Sequence, residues 1–324
     1  MHRARWLLPL LSLLALFCLS IALTTGSVSI RLTDLWNVLT DPQPGLNRSL
    51  ILELRLPRAL GAFATGGLLS LAGALMQVLV RNPLADPYVL GISGGAAVAA
   101  LLSMLLGLGG AWLTGSAFAG ALLAMALVFG LARGQGSWTP MRLLLTGVVL
   151  AAGWGALISF ILATSPEANI RSMLFWLMGD LGFVRTPLLA LLVLLLGLVV
   201  CWPLGRDLNV LIRGELQAGA VGINSGRLQI ILFLLASFLT ATAVVQAGSI
   251  GFVGLVIPHI MRLMGLSDHR LLLPAAALSG GSLLVLADTL SRTLLAPQQL
   301  PVGIITALLG VPLFLYLLRR EVSR

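Results

Sequence analysis

The stretch RALGAFATGGLLSLAGALMQVLV (residues 58–80) decides the fold. After Arg58, no charged residue occurs until Arg81. A run of roughly 20 apolar residues is long enough to cross about 30 Å of hydrocarbon as a helix. Comparable runs recur from one end of the 324-residue chain to the other. The sequence therefore predicts an all-α, polytopic membrane protein.

Bulk composition supports a single membrane domain. The chain is 58% hydrophobic and 10% charged, whereas about 25% of the residues in soluble domains are charged. The first apolar run is longer than a typical signal-peptide core and no cleavage-like site follows it, so we expect it to remain as a span. We predict one compact bundle over residues 1–324 with about ten spans, at approximately 6–24, 58–80, 89–107, 114–132, 142–163, 187–204, 228–247, 250–265, 271–290 and 301–318.

The basic residues indicate how the spans are oriented. All 20 of them are arginine, and with the N-terminus inside, most fall in segments on the cytoplasmic side. Because short cytoplasmic loops carry an excess of Arg and Lys, this bias predicts that both termini are cytoplasmic. The arginines are spread over short loops, so the net charge of +9 does not indicate nucleic-acid binding.

Missing residue types disfavour several mechanisms. Without lysine, the chain cannot carry the P-loop that binds nucleotide phosphates. Ionisable residues are nearly absent from the predicted spans, and Asp288 lies four residues before Arg292, which predicts a local helical ion pair. The sequence contains no metal-site spacing of His, Cys, Asp or Glu. A membrane enzyme and a proton-coupled secondary transporter are therefore disfavoured, and we expect another chain to supply the energy.

Small residues are concentrated in several spans. In lipid, helices associate through close backbone approach, so Gly and Ala indicate helix–helix contacts. We predict such contacts at GGLLSLAGA (66–74), GISGGAAVAA (91–100), GVVLAAGWGA (147–156) and LSGGS (278–282).

The longest polar interruption on the cytoplasmic side covers residues 206–227 and contains IRGELQAGAVGIN (212–224). Its small residues indicate one or two short helices whose side chains protrude little from the surface. One interpretation is a solvated connector. However, links between helices are commonly about 2–8 residues long, so the alternative is a docking element for a soluble partner.

Several long motifs resemble the permease subunit of type II ABC importers for ferric siderophores, haem and cobalamin, the FecCD-type binding-protein-dependent permeases. The resemblance covers nearly the whole chain. Its motifs are LRLPRAL (54–60), MQVLVRNPLADPYVLGISGGA (76–96), RLLLTGVVL (142–150), FWLMGDLG (175–182), LNVLIRGELQAGAVGI (208–223), GSIGFVGLVIPHIMRLMGLSDHRLLLPAAALSGG (248–281), ADTLSR (287–292) and LPVGIITALLGVPLF (300–314).

This resemblance implies an assembly in the bacterial inner membrane. It implies ten spans per subunit, a homodimer or related heterodimer, two cytoplasmic ABC ATPases that bind ATP and Mg²⁺, and a periplasmic binding protein. This chain itself would then be no enzyme and need no cofactor. The loop after the sixth span would couple to the ATPase through Arg213, Gly214, Glu215, Ala218, Gly219 and Gly222.

The resemblance also implies a gate and a docking face. Asn82 and Leu84 would lie at a cytoplasmic gate, with Pro140 and Met141 as its second part, although cobalamin permeases have small hydroxyl residues at the latter positions. A helix cap and turn is the alternative interpretation of both loops. Arg55, Arg58 and Arg292 would meet acidic residues of the binding protein, because arginine binds carboxylates bidentately. Snorkelling to lipid phosphates is the alternative.

The function that the sequence predicts is import of a metal chelate, a ferric siderophore or haem first, driven by ATP hydrolysis on the partner. Cobalamin is the alternative cargo. Two competing hypotheses for the function are an ATP-independent secondary transporter or channel and an intramembrane enzyme.

Overall fold

The computed structural model describes residues 2–26, 30, 31, 38, 45–132, 139–182, 184 and 186–322. These residues form helices joined by turns and short connections, without a strand among them. We number the α-helices α1 (His2–Thr24), α2 (Leu46–Ser49), α3 (Leu56–Leu79), α4 (Ile92–Leu105), α5 (Ala111–Leu131), α6 (Pro140–Thr164), α7 (Glu167–Leu177), α8 (Leu188–Leu211), α9 (Glu215–Ala220), α10 (Ser225–Ala247), α11 (Val253–Leu263), α12 (His269–Thr293) and α13 (Val302–Val322). A π-helical turn (Leu50–Arg55) precedes α3, and a 3₁₀ turn (Pro87–Leu90) precedes α4.

The predicted spans are confirmed as helices. In the described part of the chain, 7 helices are long and apolar enough to cross a membrane. Three shorter apolar helices, Ile92–Leu105, Val253–Leu263 and Val302–Leu317, coincide with the other predicted spans. The bundle of about ten membrane helices is therefore correct.

Some boundaries differ from the prediction. The second span starts before Arg58, because the π-helical turn continues into α3 as one apolar segment, Leu50–Leu79. The third and eighth spans are shorter than predicted, since α4 and α11 are preceded by residues with left-handed backbones, Gly91 (φ 71°) and Phe252 (φ 70°). Helix α7 was not predicted, because its residues lie in what the hydropathy pattern assigns to an outer connection.

Helix α3 forms the centre of the bundle. It contacts α8, α10, α11 and α12, and 89% of the most apolar window of Leu50–Leu79 is buried. In contrast, only 11% of the corresponding window of α6 is buried. A helix that is apolar on all sides belongs in the interior, which explains why residues 58–80 carry no solvent face.

Glycines let the central helices approach closely. A Cβ atom on Gly73 of α3 would collide with the carbonyl oxygen of Gly254 in α11, and one on Gly66 would collide with that of Gly280 in α12. Gly95 of α4 meets Gly120 of α5 in the same way. The predicted small-residue contacts at 66–74, 91–100 and 278–282 are thus confirmed.

Replacing Gly73 with alanine is expected to destabilise the chain by about 1–3 kcal/mol, the usual cost of overpacking a core. Thermal unfolding in detergent measures the loss. Gly115→Ala in α5 is the matched control, because a Cβ there meets no described atom within 4 Å. Equal melting temperatures for the two variants would contradict the close α3–α11 contact.

Candidate coupling and gate site

The loop after α3 forms a turn that several hydrogen bonds stabilise. Arg81 has a left-handed backbone with a φ of 53°. The Asn82 side chain accepts a hydrogen bond from the Leu84 amide at 2.9 Å, and Asp86 accepts one from the Tyr88 amide at 2.8 Å. The Tyr88 hydroxyl accepts a hydrogen bond from the Ile250 amide at 3.0 Å. The first two bonds shape the turn, and the third fixes it to the segment before α11.

Burial also shifts the pKa values of two side chains in this turn, Asp86 and Tyr88. It raises the pKa of Asp86 to about 6, although the hydrogen bond from the Tyr88 amide opposes the shift. Burial likewise raises the pKa of the Tyr88 hydroxyl, against the opposing hydrogen bond from Ile250. The Tyr88 phenol therefore stays protonated at neutral pH.

The second element of the site is the six-residue helix α9, which confirms the predicted short helix in 206–227. Gly214 before it and Gly222 after it have φ values of 128° and 83°, which favour glycine. These two glycines therefore shape the turns at the ends of α9. Ala218 is fully buried and anchors α9 to the chain, whereas Gly219 is exposed.

An apolar surface on α9 was missed by the sequence analysis. Leu216 is 92% exposed, and Val221 directly after the helix is 66% exposed. Both lie on the predicted cytoplasmic side. The hydropathy of this short segment did not reveal which side chains point outward.

The structure brings the predicted gate residues Asn82, Pro140 and Met141 together with Glu215, one of the six predicted coupling residues. A cavity of about 730 Å³ lies between the loop after α3, the start of α6, and α9. Leu84 does not line it, and Arg213 points to a different cavity. The lining residues are Val80, Arg81, Asn82, Pro83, Thr139, Pro140, Met141, Leu144, Glu215, Gly226 and Gln229.

One carboxylate connects three parts of this site. Glu215 Oε1 lies 2.9 Å from Arg81 Nη2 and 3.1 Å from Gln229 Nε2. Arg81 belongs to the loop after α3, and Gln229 belongs to α10. Arg81 and Gln229 were not singled out from the sequence, since their contact with Glu215 joins distant segments.

Two of the arginines predicted to dock a binding protein, Arg58 and Arg292, share one carboxylate at the other end of α3. Arg58 contacts Asp288 through Nε at 3.0 Å and Nη2 at 2.9 Å. Arg292 Nε contacts the same carboxylate at 3.2 Å, which confirms the predicted helical ion pair. The Asp288 side chain is 1% exposed, and those of Arg58 and Arg292 are 11% and 9% exposed.

Arg55 is also buried rather than outward-facing. Its Nη1 donates to the Leu23 carbonyl oxygen at 2.7 Å. The predicted docking residues therefore lie inside the bundle end, and Gln299, whose Oε1 accepts from Arg58 Nη1 at 2.8 Å, covers part of the cluster. Their role in binding a partner stays a prediction.

A second cavity lies at the opposite end of α10. It has a volume of about 370 Å³ and includes Trp176, Asp180 and Gln246 in its lining. Since a helix rises 1.5 Å per residue, Gln229 and Gln246 are separated by about 25 Å along α10. One helix thus connects cavities near both ends of the bundle. Among the residues that the structure describes, no group of three or more His, Cys, Asp or Glu could hold a metal ion.

Solved structures share this architecture. A metal-chelate type ABC transporter in an inward-facing conformation matches with a TM-score of 0.86 and 32% identity, covering 97% of this chain and 98% of that chain. PsaBC from Streptococcus pneumoniae matches with a TM-score of 0.58 at 18% identity, covering 83% and 92% of the two chains. The latter likeness concerns the fold alone.

Sequence relatives identify the family. YvrB of Bacillus subtilis, an uncharacterised ABC transporter permease, is 42% identical over 281 residues, covering 84% of this chain and 79% of YvrB. The vitamin B12 import permease BtuC of Escherichia coli is 39% identical over 319 residues, covering 97% of this chain and 94% of BtuC. A family model described as the FecCD transport family matches residues 12–320. This chain therefore belongs to the FecCD transport family.

Proposed function

We propose that the chain is the membrane permease of an ABC importer that carries a metal chelate into the cytoplasm. The observation that carries this proposal is the cavity that the loop after α3 and α9 line together, in a chain of the FecCD family. Movement of α9 by a cytoplasmic partner would act directly on the residues that border this cavity. Rigid-body movement of helices is a common way to open and close a pathway.

The partner at α9 is an ABC ATPase in this proposal. The chain has no lysine and hence no P-loop of its own. The exposed Leu216 and Val221 give α9 an apolar anchor for a groove on that partner. In this proposal α9 lies in the cytoplasm, and the arginine bias favours a cytoplasmic position for both termini as well.

A second copy of the chain would complete the pathway. Helix α6 exposes Val149, Gly153, Leu157 and Phe160, although its length and composition fit a membrane span. Small residues next to large apolar ones suit close contact between membrane helices. Within 147–156, Gly147 packs on Val89, and Trp154 packs on Gly94 within the chain. We therefore assign only the exposed face around Val149 and Gly153 to a dimer.

Two cargoes remain in the proposal. The breadth of the iron-chelate class favours a ferric siderophore or haem, whereas the similarity to vitamin B12 import permeases favours cobalamin, which is itself a metal chelate. The cavity near Gln246 combines an indole, a carboxylate and an amide, and this mixture suits a large cargo with amide or hydroxyl groups. A periplasmic binding protein would deliver the cargo and set the selectivity.

The test is uptake by proteoliposomes that contain this chain with its ATPase and binding protein. We expect ATP-dependent accumulation of radiolabelled cyanocobalamin, ferric siderophore or haem, and copurification of the ATPase with the chain. Which cargo accumulates decides between the two proposals. Full uptake by the chain alone, without ATP or partners, would instead show a secondary transporter.

A further inference from the structure

We propose that Arg81 is a positioning residue that ties the loop after α3 (residues 80–86, the gate loop) to α9 through Glu215, so that movement of α9 is transmitted to Asn82. This inference rests on the proposed function and deepens it. Its basis is the contact between Arg81 Nη2 and Glu215 Oε1 at 2.9 Å. This contact joins two segments that are 134 residues apart in sequence.

The backbone of Arg81 shows that the turn is set for this contact. A φ of 53° is unfavourable for a residue with a side chain, and glycine is the usual residue where a helix ends in this conformation. Glycine could form the turn but could not reach α9. Strained residues persist where the surrounding structure needs their side chain. The next residue, Asn82, belongs to the rim of the cavity.

Glu215 places the link so that the gate loop follows α9. Its Oε1 also accepts a hydrogen bond from Gln229 Nε2 at 3.1 Å, and Gln229 is 6% exposed in α10. Glu215 is the first residue of α9, so a displacement of α9 moves the carboxylate as part of the helix. The Glu215 carboxylate thus connects α9 to the gate loop through Arg81 and to α10 through Gln229.

The pair is better suited to coupling than to stability. The side chains of Arg81 and Glu215 are 38% and 47% exposed. Exposed ion pairs contribute little to folding, so a link of this kind can break and re-form during a cycle. Removing it is therefore expected to leave the fold intact while the gate no longer follows α9.

The experiment uses the complete complex with its ATPase in nanodiscs and a Leu144→Cys background, because Leu144 lines the same cavity as Asn82 but belongs to neither the gate loop nor α9. The two natural cysteines of this chain, Cys18 and Cys201, are buried, so maleimide labelling read on the gel band of this chain reports mainly on position 144. We compare the ATP-dependent change in maleimide labelling and the rate of ATP hydrolysis in four proteins. These are the background, Arg81→Glu, Glu215→Arg and the double charge swap.

ATP is expected to change the labelling rate at least about fivefold in the background, within the usual range of coupling between sites. Each single swap should abolish this change while melting temperatures stay the same. The double swap should restore it, because the opposite charges again face each other. Arg319→Glu, an exposed charge reversal outside the cavity lining, should behave like the background.

Two failures have different meanings. If the background complex shows no ATP-dependent hydrolysis or labelling change, the proposed function is wrong. If the background responds and both single swaps respond equally well, or the double swap fails to recover, the Arg81–Glu215 link is wrong while the proposed function stands.

Discussion

Asp288→Ala is expected to lower the stability of the chain by about 3–5 kcal/mol, the usual cost of removing one partner from a buried ion pair. The substitution would leave Arg58 and Arg292 with buried guanidinium groups and without the carboxylate that both contact. The yield of monodisperse protein in detergent and its melting temperature measure the effect. We expect a large loss of both.

Glu53→Ala provides the matched control, because Glu53 is an exposed carboxylate in the turn before α3. Exposed substitutions usually change stability by less than about 0.5 kcal/mol. A melting temperature for Asp288→Ala close to that of Glu53→Ala would contradict the role of Asp288 as the shared partner. Asp288→Asn should fall between the two, since the amide keeps part of the hydrogen bonding without the charge.

The buried cluster of Arg58, Asp288 and Arg292 also affects how docking of a binding protein must be tested. Arg58→Glu, the obvious variant for docking, would place a second carboxylate beside the buried Asp288. Weaker docking and a smaller salt dependence are expected from the lost charge, but the cluster also predicts a stability loss. Docking data for Arg58 variants therefore need the melting temperature of each variant beside them.

Hydropathy and small-residue patterns predicted much of the fold, because the bilayer imposes a length on apolar helices and favours close packing at glycine. The apolar run at 58–80 predicted the helix that lies at the centre of the bundle. The small residues around Gly66 and Gly280 predicted one of its helix contacts. The short helix α9 was predicted from its polar, small-residue composition. Helix α7 was missed, because an amphipathic helix at the bundle end has no span-length apolar run.

Long-range polar contacts could not be predicted in the same way. The pair Asp288–Arg292 follows from a spacing of four residues on a helix, and the sequence analysis found it. The stronger partner, Arg58, lies 230 residues away from Asp288. Periodicity in one sequence carries no information on such pairs, so the burial of the predicted docking arginines emerged only from the packing of α3 against α12.

Leu216→Asp is expected to abolish permease-dependent ATP hydrolysis by the partner ATPase. A side chain that fills a well-packed, desolvated pocket on a partner acts as an interface hot spot, and truncating it costs about 2 kcal/mol or more. At 1.4 kcal/mol per factor of ten, copurification should weaken by at least about 30-fold. Leu216 is 92% exposed, so its replacement should leave the fold of the isolated chain unchanged.

Gln217→Asp is the matched control for this experiment. It adds the same charge to the same six-residue helix, but successive helical residues point about 100° apart, and the Leu216 anchor is kept. The Gln217 variant should therefore retain most of its ATPase binding, whereas the Leu216 variant should lose it. Equal binding by both variants would mean that α9 contacts the ATPase through another face, and a loss in both would point to charge rather than apolar contact as the basis of the interface.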